Sequence, residues 1–139
     1  MTDDRLLLPD GVRATLHERR EAGAPAEVCG VLLGERGGDD PPADRVAEAV
    51  AVDNVAGDAR RRYELDPAAT LAAIDDAGTR GLEPVGFYHS HPRGPAEPSA
   101  TDRERATWTG HVHAIVAPGE LGAYRWTGDS FRSLRVETP

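Results

Sequence analysis

At 139 residues the chain has room for one domain, residues 1–139, with an ordinary hydrophobic core. Hydrophobic residues make up 39% and charged residues 29%, a globular balance, and no apolar run nears the roughly 20 residues of a membrane span. A formal charge of −8 argues against a general nucleic-acid binder, and a single cysteine, Cys29, excludes an internal disulfide or a multi-cysteine zinc knuckle. The opening Met1-Thr2-Asp3-Asp4-Arg5 lacks the basic start and apolar stretch of a secretory signal, so a cytoplasmic location is expected. All 16 basic residues are arginine, which fits a GC-rich genome or a halophilic source, the acidic surplus favouring a haloarchaeal one.

In chain order, Leu6-Leu7-Leu8 reads as a short strand, and Pro9-Asp10 opens a helix to about Glu21 with Val12 and Leu16 inward, closing at Gly23. Val28 to Leu33 is a continuous apolar run of strand length, expected to be buried on both faces. Gly37 to Pro42 is a loop, and Arg45 to Val52 alternates as a strand. A second loop covers Asn54 to Asp58, and Arg60 to Leu65 reads as another strand. Asp66 and Pro67 suit the N-cap and first position of a helix whose inner face is Leu71, Ile74 and Ala77, stopped by Gly78 to Gly81. Pro84 to His91 reads as a strand ending in a Pro/Gly-rich loop, Pro92 to Pro98, and a helix follows from Ser99 to about Trp108. Val112 to Val116, Leu121 to Trp126 and Phe131 to Val136 complete the strands, the last two turning at Thr127-Gly128-Asp129. Strands mixed with two or three helices point to one α/β domain with a mixed sheet.

The chemistry concentrates in His89-Ser90-His91 and Ser99-Ala100-Thr101-Asp102. Residues two apart on a strand share a face, with Cα atoms about 6–7 Å apart, so two imidazoles can converge on one ion. The intervening loop can return Asp102 as a third ligand, leaving a fourth position open, as in catalytic rather than structural zinc sites. Amide hydrolysis then needs a carboxylate outside the ligand set as general base. Glu27, at the entrance of the buried strand, suits that task, and apolar surroundings there would raise its pKa. On physical grounds alone, Glu21, Glu35 and Glu64 compete with it. Ser99 Oγ could donate to the developing oxyanion.

Together, Glu27, then His89-Ser90-His91-Pro92, six residues, and Ser99-x-x-Asp102 resemble the signature of the JAMM (MPN+) metalloproteases, a distant glutamate followed by HxHPx(6)Sx(2)D. Glu27-Val28-Cys29-Gly30-Val31-Leu32-Leu33-Gly34 is similar to the family's E-x-C-G-x-L-x-G segment, and Val85-Gly86-Phe87-Tyr88 to its approach to the first histidine. The resemblance covers nearly the whole chain, and every core position is filled, unlike the family's metal-free MPN relatives. It implies one zinc held by His89, His91 and Asp102, with Glu27 as acid/base and Ser99 assisting the oxyanion. The implied fold is a cytidine-deaminase-like α/β sandwich, a mixed sheet flanked by helices. The implied substrate is the amide bond after the C-terminal Gly-Gly of a ubiquitin-like modifier joined to its conjugates, which in a haloarchaeon would make the enzyme a desampylase.

Alternatives remain beside this expectation. A peptidase that frees an amino acid from a sulfur-carrier protein's C-terminus would share the same active site. A non-catalytic MPN scaffold would need a degenerate metal site, and nucleoside deamination usually calls for cysteine ligands that a one-cysteine chain cannot supply. Ser99-x-x-Asp102 is also an ordinary capping box. His111-Val112-His113 repeats the HxH pattern without a following acid and reads as core or surface histidines, and His17 as a solvated one. Cys29 reads as a small core residue rather than a nucleophile. Arg60-Arg61-Arg62 is most simply a solvated face, its functional alternative being contact with an acidic partner.

Overall fold

The computed structural model describes residues 4–38 and 43–139. Along the chain run β1 (Arg5–Leu7), α1 (Asp10–Gly23), β2 (Cys29–Glu35), β3 (Ala43–Val52), α2 (Pro67–Thr79) and β4 (Glu83–Ser90). Then follow α3 (Ala100–Arg105), β5 (Val112–Ala117), β6 (Glu120–Trp126), β7 (Phe131–Ser133) and β8 (Arg135–Glu137). The strands form one mixed sheet in the order β7-β6-β5-β4-β2-β3-β1-β8. β7 and β8 are separated only by Leu134, yet they lie at opposite ends of that order. The sheet therefore curls until its ends meet. Leu134 donates its N–H to Ala123 of β6, and Arg135 donates to Asp4 beside β1.

A buried ion network spans this seam. Arg125 of β6 reaches both carboxylate oxygens of Asp4, at 2.6 and 2.7 Å, and Asp44 of β3 at 3.0 Å. Arg132 of β7 adds a 2.6 Å contact to Asp4. Such a buried carboxylate is tolerable only with this many charged donors around it. The result is a mixed α/β domain whose barrel-like sheet is flanked by helices.

The two large helices take opposite faces. Val12 and Leu16 of α1 pack with Leu6, Leu32, Val46 and Tyr88. Ala69, Ala73, Ile74 and Ala77 of α2 pack with Val31, Leu33, Val52 and Phe87. Alternation along β2 serves both cores, Leu32 toward α1 and its neighbours toward α2, as expected for a continuous apolar run. The pairing of β2 with antiparallel β4 shifts between Leu32↔Gly86 and Leu33↔Pro84, leaving Val85 as a bulge. That extra residue turns Val85 to the α1 core while Phe87 faces α2. Beyond it the strand period returns, so His89 falls on the face of Phe87. Gly30 lies opposite Tyr88, where a Cβ would strike the Val50 carbonyl oxygen and the Tyr88 ring.

Four expectations are corrected. Arg60 to Leu65 is no strand: residues 57–61 form a turn, and only Leu65 bridges, to Asn54. The Asn54 side chain occupies the backbone there, donating to Arg62 O and accepting from Glu64 N, so no ladder forms. Phe131 to Val136 is two strands rather than one, because the curl of the sheet hands the chain from β6 to β1 at Leu134. Leu71 points outward, 62% exposed, since the helix presents Ala73, Ile74 and Ala77 to the sheet. Helix α3 ends at Arg105, short of Trp108. Of the expected loop Gly37 to Pro42, residues 39–42 lie outside the described residues.

Candidate active site

His89 and His91 stand at the carboxyl end of β4, beside its parallel neighbour β5. His91 lies just past the strand but stays in the ladder, its N–H donating to Val116 O at 2.9 Å. Ser99 caps α3: its hydroxyl accepts from Asp102 N at 3.1 Å, while its own N–H donates to Asp102 Oδ2 at 2.9 Å. The capping box thus fixes the Asp102 carboxylate, and the same Oδ2 lies 3.1 Å from Nε2 of each histidine. The two Nε2 atoms are 3.3 Å apart.

The three atoms form a near-equilateral triangle. A tetrahedral ion with ligand bonds of about 2.0–2.1 Å has edges of roughly 3.3–3.4 Å. The triangle is therefore the size of one face of such a tetrahedron, and its chemistry, two imidazoles and a carboxylate, suits a transition metal. Nδ1 of His91 donates to Pro95 O at 2.9 Å, so an ion binding here would meet the ring at Nε2. His89 is held by its ring, stacked on Tyr63 at 4.2 Å.

Burial alone would raise the Asp102 pKa, but hydrogen bonds from both imidazoles and from Ser99 N–H outweigh it and hold the group far below the usual carboxylate range. His89 is pushed down by burial against the pull of Asp102. For His91 the bonds to Asp102 and Pro95 overcome burial and raise it.

Glu27 faces this triangle from the neighbouring strand's entrance. One of its oxygens and an imidazole nitrogen of each histidine lie within 4.8 Å of one another. Its N–H donates to Ala59 O at 2.6 Å and its carbonyl accepts from Asn54 Nδ2. The buried Oε1 has no hydrogen-bond partner among the described residues. Burial, reinforced by Asp102 and Asp58 and opposed by His91, pushes its pKa up to about 7. Of the competing acids, Glu21, Glu35 and Glu64 are all exposed, and none joins the cluster.

The five expected residues thus come together. Cys29 does not contribute a nucleophile, its thiol being buried and pushed up to about 12. His113 is a core histidine, lowered to about 4 by burial. Two residues escaped the sequence reading. Ser90, fully buried, bonds both backbone groups of Val28, next to Glu27. Tyr63 stacks on His89 from a segment expected to be a strand. Ser90 stood in view inside the motif, but its role depends on the pairing of β4 with the start of β2.

Two clefts meet the cluster. One, of about 360 Å³, is walled by Tyr63, Leu71, Phe87, Trp108 and His113 around Asp102. Trp108 has φ +62°, a strained conformation for a non-glycine residue, and sets its ring edge-on to Phe87 at 5.1 Å. The other, of about 620 Å³, brings Arg60, Arg61 and Arg93 to the side of Glu27, His91 and Ser99.

A model of the prokaryotic homologs of the JAB domain matches residues 9–133. The chain is 46% identical to a desampylase of Haloferax volcanii, over 98% of both chains. It is 34% identical to a probable TtuB-protein conjugate cleaving protease of Thermus thermophilus, over 74% of this chain and 64% of that one. Among solved structures, a Salinibacter ruber protein shares 35% identity with TM-score 0.74, covering 96% of this chain and 91% of that one. One from Desulfitobacterium hafniense, 24% identical, superposes with TM-score 0.85 over 96% and 92% and so speaks for the fold alone. A family match over nearly the whole chain, joined to a relative 46% identical along almost its full length, makes this chain a member of the JAB-domain family, among its prokaryotic homologs.

Proposed function

We propose that the chain is a zinc-dependent isopeptidase that hydrolyses the amide bond after the C-terminal Gly-Gly of a ubiquitin-like modifier. The observation that carries this reading is the triangle of His89 Nε2, His91 Nε2 and Asp102 Oδ2, with edges of 3.1, 3.1 and 3.3 Å, facing the Glu27 carboxylate. The names of the relatives, two cleaving modifier conjugates and one of them nearly half identical, support this substrate class. His89, His91 and Asp102 would hold the ion. What a zinc ion supplies there is polarisation of the scissile carbonyl and acidification of water.

The other steps belong to the chain's own side chains. Glu27, buried and raised toward neutrality, takes a proton from the attacking water and passes it to the leaving amine. Ser99 Oγ already accepts from Asp102 N, so its hydroxyl proton is available for the developing oxyanion. The Pro95 carbonyl keeps His91 in one tautomer throughout. On the same reading residues 1–139 form one catalytic domain of the cytidine-deaminase-like class, supported by the mixed sheet with a helix on each face. The free buried thiol of Cys29 suits a cytoplasmic enzyme.

The test is metal analysis joined to hydrolysis of a modifier–target conjugate, with and without chelator. The reading expects about one zinc per chain, set by the three-ligand site, and activity that chelation removes and zinc restores. Glu27→Ala should retain zinc and lose cleavage. A protein that neither holds zinc nor gains activity from it would overturn the mechanism.

A further inference from the structure

The chain carries 24 acidic residues against 16 arginines, so an unpaired arginine should find a carboxylate easily. Several do: Arg5 pairs with Glu137, Arg80 with Glu48 and Asp76, Arg105 with Glu64, and Arg125 and Arg132 with Asp4. Others, Arg19 and Arg36 among them, form no ion pair among the described residues, and the cleft beside Glu27 gathers arginines of this kind in one place. Arg60, Arg61 and Arg93 all line it. Arg60 and Arg93 form no ion pair among the described residues, and Arg61 reaches only Asp58, at 3.8 Å with its own side chain 85% exposed. Glu97 and the buried Glu27 are the acids on the same wall.

The fold places these arginines at the reacting centre rather than on a remote face. Ala59, directly before Arg60, accepts the Glu27 N–H, and Arg93 follows His91 by two residues. The side of the scissile bond that they address follows from the chemistry already assigned. The group that protonates the leaving amine must lie on the leaving group's side, and that group is Glu27. The other cleft, around Asp102, is walled by Phe87, Leu71 and Trp108 and offers apolar surface instead.

We propose that Arg60, Arg61 and Arg93 form a subsite for acidic side chains flanking the acceptor lysine of the target protein, on the leaving-group side of the bond. This rests on the isopeptidase reading above. Three arginines on the lining of one cleft can offer paired N–H donors to carboxylates of a substrate lying in it.

The experiment uses the zinc-loaded full chain and three isopeptide substrates with one modifier tail. The first has Asp or Glu flanking the lysine, the second Asn or Gln there, and the third has the acids moved to the modifier side. The first should exceed the second in kcat/KM by roughly tenfold at low salt, as several individually weak exposed pairs acting together allow. The ratio should shrink in molar salt, where the Debye length is about 3 Å. Arg60→Gln/Arg61→Gln/Arg93→Gln should bring the ratio near one, and the triple lysine variant should retain most of it. Arg62→Gln, outside the cleft lining, should keep the full ratio. Equal cleavage of the first two substrates, or a ratio that survives the triple glutamine variant, overturns the subsite alone. Preference for the third substrate overturns its assignment to the leaving-group side. If the wild-type chain cleaves none of the three, the isopeptidase reading falls and the subsite with it.

Discussion

Ser90 and Val28 are joined by two hydrogen bonds, the serine hydroxyl accepting the Val28 N–H at 2.8 Å and the serine N–H donating to the Val28 carbonyl at 2.9 Å. One residue, placed between the two histidines, thereby clamps the backbone beside Glu27. Ser90→Ala would leave the Val28 N–H unpaired, at a cost of about 1–3 kcal/mol. Urea unfolding of the zinc-loaded variant should show that loss. Its kcat should fall more than its KM rises, because the distance from Glu27 to the histidines changes while the clefts do not. An unaltered kcat would show that the clamp does not set the position of Glu27.

Much of this site is local, and that is why the sequence displays it. The pairing of His89 with His91 needs only the two-residue period of a strand, and Asp102 needs only the capping box of α3. Glu27 was legible only through family resemblance, since its approach depends on β2 pairing with β4 across some sixty residues, Cys29 opposite His89. The misread segments fail for the same kind of reason. Nothing in Arg60 to Leu65 announces that the Asn54 amide will occupy its backbone groups. Nothing in Phe131 to Val136 announces that a closing sheet will split it at Leu134.

Zinc affinity can be separated from catalysis at Asp102. In Asp102→Asn the amide oxygen still accepts the Ser99 N–H, so α3 keeps its start while the triangle loses its negative charge. Losing even an outer partner of a metal ligand costs about 10–100-fold in affinity, so losing this ligand should cost more. Competition for zinc against a chromophoric chelator measures this without substrate. Zinc at about a hundred times its Kd should add about 2.7 kcal/mol to the stability of the wild type. The asparagine variant should gain far less at the same concentration. An equal gain in both proteins would remove Asp102 from the ligand set.

The seam of the sheet gives the fold its acid limit. Burial would raise the Asp4 pKa, but the hydrogen bonds and charges of Arg125 and Arg132 prevail and hold it below 3.8. A carboxylate depressed in the folded state stabilises fully above its unfolded pKa, and the contribution disappears as pH falls through the folded value. The Asp4 contribution should therefore be level near neutrality and decline below about pH 4, where Asp4 begins to take up its proton in the unfolded chain. Asp4→Asn leaves Arg125 with the Asp44 carboxylate alone and should cost about 3–5 kcal/mol at pH 7, as removal of one partner from a buried pair does. The gap between the two proteins should narrow as the pH is lowered past 4. A gap that stays constant down to pH 2 would mean that Asp4 acts through packing rather than charge.

The same glycine-to-alanine change should have opposite signs at two positions. At Gly78, within α2, an added Cβ meets nothing within 4 Å. Alanine there reduces the freedom of the unfolded chain and should stabilise by about 0.4–1 kcal/mol. At Gly30 the added carbon runs into the Val50 carbonyl and the ring of Tyr88, whose hydroxyl is itself held by Arg19 at 3.0 Å. Neither obstacle is the free end of a flexible side chain, so β2 must move away from β3 or β4, at a cost of about 1–3 kcal/mol. Because Cys29 pairs with His89 and Gly30 with Tyr88, that movement reaches His89 directly. Gly30→Ala should consequently lose zinc affinity along with stability, while Gly78→Ala should bind zinc as the wild type does. Paired thermal unfolding and zinc titration of the two variants would measure both effects. Undiminished zinc affinity in Gly30→Ala would show that the ligands are insulated from the central strand pair.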